Sequence, residues 1–101
     1  MYRKQSWSVP SFTDALAQLL YDPIDIILGD FNIDAFDMPQ SLSLVLQDFQ
    51  LVVKGPTHLS GSQLDHVYVS KTLLQQMHFE AVIRTVHFSD HDAVKFTLSN
   101  K

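Results

Sequence analysis

The chain has 101 residues, 46% of them hydrophobic and 18% charged, with 3 Gly, 4 Pro and no Cys. These figures leave room for one globular domain and exclude disordered, collagenous, disulfide-stapled and Cys-ligated zinc architectures. Eleven acidic residues against seven basic ones give a net charge of −4, and every acid except Glu80 is an aspartate.

Aspartate is short, poor in helix interiors and suited to turns, caps and metal sites. The basic side chains (Arg3, Lys4, Lys54, Lys71, Arg84, Lys95 and Lys101) are scattered, which argues against a basic stripe for non-specific nucleic-acid binding. A phosphate partner held through a divalent cation stays open, because the ion reverses the local charge logic. No apolar run approaches the roughly 20 residues of a membrane-spanning helix, so no membrane partner is expected. The start carries no basic, apolar, small-residue signal peptide, and an intracellular setting is expected.

In chain order, Tyr2–Trp7 reads as a short edge strand. From Pro10 to Leu20 the residues Phe12, Ala15, Leu16, Leu19 and Leu20 recur at helical spacing, with Pro10 in the first turn. Asp22-Pro23 stops that helix. Ile24–Gly29 is an apolar, β-branched run of the kind found in a strand covered on both faces. Asp30–Asp37 reads as a loop, and a second helix is expected over Pro39–Phe49, with Leu42, Val45, Leu46 and Phe49 on one side. Strands are expected at Gln50–Lys54, Leu64–Ser70, Phe79–Val86 and Asp92–Leu98. Two helices with four or five strands indicate an α/β or α+β half-sandwich.

Three short motifs carry chemistry. Gly29-Asp30-Phe31-Asn32 follows the apolar strand, where open α/β sheets gather their ligand sites; an Asx-turn that merely closes the strand fits equally well. In Leu64-Asp65-His66-Val67-Tyr68-Val69-Ser70, alternation puts Asp65 and His66 on opposite faces. A carboxylate in such a strand is costly unless paired, whereas His66 suits a packed or surface imidazole better than a ligand. Ser89-Asp90-His91-Asp92 offers a histidine whose second nitrogen a carboxylate such as Asp65 can hold. By itself it also fits a polar turn.

In this order and spacing, the three motifs together resemble the endonuclease/exonuclease/phosphatase superfamily. Tyr2-Arg3, Ile27–Asp34, Pro56-Thr57-His58 and Ser60-Gly61-Ser62 are most similar in tone to its mobile-element, retrotransposon-type endonucleases. The resemblance spans essentially all 101 residues but only the second half of the family's domain. It implies an α/β fold that is the second half of a four-layer α/β sandwich, a sheet with two flanking helices, in one partial domain over residues 1–101. It further implies that Asp30 orients or deprotonates the attacking water and that Asn32 holds water or phosphate. Asp65 would align His91, which would stabilise developing charge or act as general base. Asp90 would position Mg²⁺ or Mn²⁺, and Tyr2 falls where the family often carries a phosphate-contacting tyrosine. Thr57 and Ser62 match flanking structural positions.

The implied activity is metal-dependent phosphodiester hydrolysis on nucleic acid, DNA first, and analogy with the family adds a nuclear setting. The family's early Asn and metal-binding Glu have no counterpart here, and Glu80 does not match the latter's position. Impaired catalysis is therefore expected. The alternative is a catalytically silent fragment that acts with a partner, or dimerises through an open sheet face. The five histidines (His58, His66, His78, His87 and His91) also raise a zinc site on His58, His66 and Asp65, although no HExxH pattern supports it. The aromatics Phe31, Phe36, Phe49, Phe79, Phe88 and Phe96 are mostly placed in the core by periodicity, with no basic groove for base stacking.

Overall fold

Ser8 begins the first helix by accepting the Ser11 amide on its hydroxyl at 3.2 Å. In a computed structural model, which describes residues 1–86 and 89–101, helix α1 runs over Val9–Leu19 and buries Phe12, Thr13 and Leu16. It ends before Asp22-Pro23, as the sequence indicates. Strand β1 (Ile26–Asp30) follows. Helix α2 (Gln40–Val45) is shorter than expected, because the chain leaves it through tight turns at Gln47 and Phe49. Phe49 thus opens strand β2 (Phe49–Leu51) instead of closing the helix.

Strand β3 (Asp65–Ser70) lies between the other two in an antiparallel sheet of order β1-β3-β2. A third helix, α3 (Lys71–Gln76), was not anticipated. Ser70 starts it by accepting the Leu73 amide at 3.1 Å, while its own hydroxyl donates to Asp25 at 2.7 Å. Strands β4 (Met77–Arg84) and β5 (Ala93–Asn100) form a separate antiparallel pair. Over the described residues the chain is therefore a mixed α/β domain with two small sheets and three helices, instead of one sheet with two helices. His87 and Phe88 lie outside the described residues.

Two further expectations are corrected. The Tyr2–Trp7 stretch makes a single parallel bridge, Tyr2 to Asp30, before it turns away. Gly29 admits this segment, since a Cβ there would collide with the Met1 backbone. Nor is β1 covered on both faces. Ile27 is buried, but Leu28 is 55% exposed, because β1 is a sheet edge and the two-stranded β4–β5 unit does not extend over it.

The alternation of β3 organises the interior. Tyr68 joins Phe12, Leu16, Ile27, Phe31, Leu42 and Leu46 in one apolar cluster beneath α1 and α2. Val67 and Val69 join Val52 and Val53 in a second, against which Ala81, Ile83, Val94 and Phe96 pack. Fully buried His66 lies on the Tyr68 side and stacks on Phe31 at a ring separation of 4.5 Å. Its Nε2 contacts the carbonyls of Ile33 (2.7 Å) and Gln63 (3.2 Å). Carbonyls only accept, so Nε2 carries the proton and Nδ1 accepts from the Tyr68 hydroxyl at 2.8 Å.

Desolvation lowers the His66 pKa below 6.5, overriding the two carbonyl contacts that raise it. A depressed imidazole contributes stability above its unfolded pKa and loses it as pH falls below that value. His66→Ala should cost about 2–5 kcal/mol in urea denaturation, from the cavity and two orphaned carbonyls. The acid-side loss of stability below about pH 6.5 should also flatten in this variant.

Candidate active site

Antiparallel pairing of β1 and β3 sets Asp30 directly opposite Asp65 at the end of the sheet. Like charges in that position repel. His91 relieves the pair. Its Nδ1 lies 2.7 Å from Asp65 Oδ2, and its Nε2 lies 3.8 Å from Asp30 Oδ2. The carboxylate can only accept, so Nδ1–H donates to Asp65 and the free valence of Nε2 is turned towards Asp30.

Each residue is held by local structure. Asp30 uses Oδ1 to accept the Asn32 amide at 2.9 Å, an Asx-turn, and keeps Oδ2 for His91. Both readings of the Gly29–Asn32 motif thus apply together. Asn32 takes a left-handed φ of 49°, which asparagine tolerates better than most residues. One of its amide N–H groups donates to the Arg3 carbonyl at 2.5 Å. Asp65 opens β3 on the face opposite His66, as alternation requires.

Thr57 is fully buried and structural. Its hydroxyl accepts the Leu64 and Asp65 amides at 3.1 Å each, and its carbonyl accepts the Asp92 amide at 2.6 Å. The Ser62 carbonyl takes the Thr57 and His58 amides at 3.1 Å. Thr57 thereby ties the start of β3 to the residue that follows His91.

Tyr2, Asp30, Asn32, Asp90 and His91 line one open cleft of about 620 Å³, together with Lys4, Gln5, His58, Ser60 and Leu64. Asp65 stands behind His91 and reaches the cleft only through it. Tyr2 is 56% exposed and Asp90 is exposed at the rim. Asp90 is not isolated, because its Oδ2 accepts from His58 Nε2 at 3.1 Å. That hydrogen bond lowers the Asp90 pKa.

Sequence reasoning missed three residues here. His58 was given no role opposite Asp90, because partners in a turn leave no periodic signal. Lys4 is the one lysine or arginine lining the cleft among the described residues. Arg3 is 6% exposed and donates to the carbonyls of Phe31 (2.6 Å), Asn32 (2.7 Å) and Trp7. It fixes the loop that carries Asn32. The zinc site on His58, His66 and Asp65 is overturned, since both His66 nitrogens are spent inside the core.

The donor sets bear on metal binding. Asp30, Asp65 and His91 offer one cluster of ligand atoms within 4.8 Å, and His58, Asp90 and His91 offer another. Mg²⁺ prefers oxygen ligands and is commonly held by one or two carboxylates plus phosphate; Asp30 and Asp90 each present a carboxylate on the cleft wall, in separate groups.

Comparisons with protein-family models, with curated proteins and with solved structures return no match. No helix among the described residues is long and apolar enough to cross a membrane.

The hydrogen bond to Asp65 raises the His91 pKa above 6.5, with burial opposing and the Asp65, Asp30 and Asp90 charges assisting. A raised imidazole stabilises the fold fully below its unfolded pKa, and that stability is lost as pH rises through the folded value. In chelator-treated protein, Asp65→Asn should move the His91 ring-proton titration to lower pH. An unchanged midpoint would show that Asp65 does not hold the imidazolium.

Proposed function

We propose that this chain hydrolyses phosphodiester bonds in nucleic acid, DNA first, with His91 as the central acid/base group. The observation that carries this reading is the set Asp65–His91–Asp30, with contacts of 2.7 and 3.8 Å, at the wall of a cleft that Asn32, Tyr2 and Lys4 share. A carboxylate-held imidazole beside a second carboxylate is the equipment that water attack on phosphorus needs.

Asp65 fixes the His91 tautomer and sustains its positive form. Nε2 then either accepts a proton from water held at Asp30 or, protonated, faces the phosphate oxygens as a preorganised charge. A bond forms from the water oxygen to phosphorus, the bond to the leaving oxygen breaks, and the water proton ends on that oxygen. Asn32 and Tyr2 supply neutral donors to phosphate, and Lys4 supplies charge. Mg²⁺ or Mn²⁺ held at Asp90 would offset phosphate charge that a net −4 protein repels.

The same reading makes the two small sheets and three helices the second half of a four-layer α/β sandwich. It is supported by β3, which has α1 and α2 packed on one face and residues of β4 and β5 packed on the other.

One observation favours a second reading, a silent module that self-associates. Leu28, Phe79 and Val82 are 55%, 41% and 37% exposed, and the glutamate Glu80 lies on β4, away from the cleft lining. Plasmid nicking with Mg²⁺ decides between the two. Hydrolysis through His91 predicts a loss of about 10²-fold or more in His91→Ala, the usual range for a general acid or base. Absence of cleavage, or cleavage untouched by that substitution, rejects it. A concentration-dependent dimer by light scattering would then support the second.

A further inference from the structure

The zinc chemistry that His66 cannot supply has another set of donors. His58 and His91 belong to loops 33 residues apart in the chain, yet they form a backbone bridge and stand edge-to-face at a ring separation of 4.9 Å. Asp90 completes the group, and each of the three offers a ligand atom within 4.8 Å of the others. We propose that His58, Asp90 and His91 form a binding site for a single borderline divalent cation of the Zn²⁺ class. This site differs in donors and in ion from the hard-cation role given to Asp90 above.

The chemistry of the donors favours it. Two imidazoles and one carboxylate suit zinc and its neighbours, whereas Mg²⁺ demands oxygen. Ligand atoms at about 2.0–2.1 Å from a tetrahedral zinc lie about 3.3 Å apart. His58 Nε2 and Asp90 Oδ2 are already 3.1 Å apart, and the His91 ligand atom lies within 4.8 Å of both.

One outer partner is also in place. Asp65 accepts the Nδ1 proton of His91, leaving the His91 Nε2 lone pair for the ion. Such carboxylate backing is what orients histidine ligands in metal sites. The Ser60 amide donates to His58 Nδ1 at 3.1 Å and fixes that ring, so the Nε2 proton that Asp90 accepts is the one the ion displaces. Asp90 lies at the exposed rim, so the fourth position opens to water and the ion has an entry path. The surrounding backbone is pinned, because the Leu59 amide donates to the Asp90 carbonyl at 2.9 Å and the Asp92 amide to Thr57. Two converging histidines on tied loops are thus held ready without the ion.

Calorimetry with Zn²⁺ on the chelator-treated full chain tests the site without reference to nucleic-acid cleavage. One equivalent should bind, and excess Mg²⁺ should not displace it. Loss of an outer partner alone commonly weakens a metal site about 10–100-fold, so His58→Ala and Asp90→Asn should each cost at least that. His78→Ala, on β4 and outside the cluster, should cost nothing. Co²⁺ added to the wild type should broaden the ring protons of His58 and His91 and spare His78, a measurement independent of how the variants fold. Absence of stoichiometric binding, binding that survives His58→Ala, or broadening centred on His78 would overturn the proposal. Zn²⁺ binding in a chain that cleaves nothing would leave it standing while the hydrolytic reading falls.

Discussion

Two carboxylates set opposite each other at the end of a sheet are a problem the fold must solve. Register alone places Asp30 against Asp65, and neither can move away without shifting the whole β1–β3 ladder. A cation between them is the physical answer, and the chain supplies one in His91, which arrives from just before β5. The charge that relieves the repulsion is therefore a titratable imidazole, raised in pKa by the groups it neutralises. Site and fold share one interaction.

That arrangement depends on β3 being two-faced. His66 and Tyr68 look into the cluster beneath α1 and α2, while Val67 and Val69 face the strands of the second sheet. His66 on this strand and His91 against its first residue have opposite fates for the same reason. His66 is desolvated, neutral and spent on carbonyls, and His91 is paired with carboxylates and kept basic. Their contributions to stability run in opposite directions with pH, one fading on the acid side and the other on the alkaline side.

Much of this was legible in the sequence because it rests on local pattern. The spacing of Phe12, Leu16 and Leu19 marks α1, and the alternation through Asp65–Ser70 puts His66 and Asp65 on opposite faces, with only the packing showing that the His66 face is the buried one. The grouping of Asp30, Asn32, Asp65, Asp90 and His91 is what the family resemblance of the three motifs implies, and the geometry brings them to one cleft and its back wall. What stayed hidden depends on distant partners. Helix α3 is six residues between two strands, too short for periodicity to reveal. Phe49 carries a helical spacing but is claimed by β2 pairing. Arginine is ordinarily a surface residue, so the burial of Arg3 under three carbonyls had no signal. His58 faces Asp90 across 32 residues of chain, and Asp30 faces Asp65 only once the register is known.

The orientation of the His91 ring is where these claims meet. In free histidine the neutral ring is not committed to Nδ1–H, whereas donation to Asp65 requires that tautomer. The most direct measurement is a long-range ¹H–¹⁵N correlation of the His91 ring in chelator-treated protein above its titration midpoint, assigned with a His91→Gln variant. A protonated Nδ1 with an unprotonated Nε2 is the expected result. A dominant Nε2–H form would mean that Asp65 does not hold the ring, and the Asp30–His91–Asp65 bracket would be contradicted.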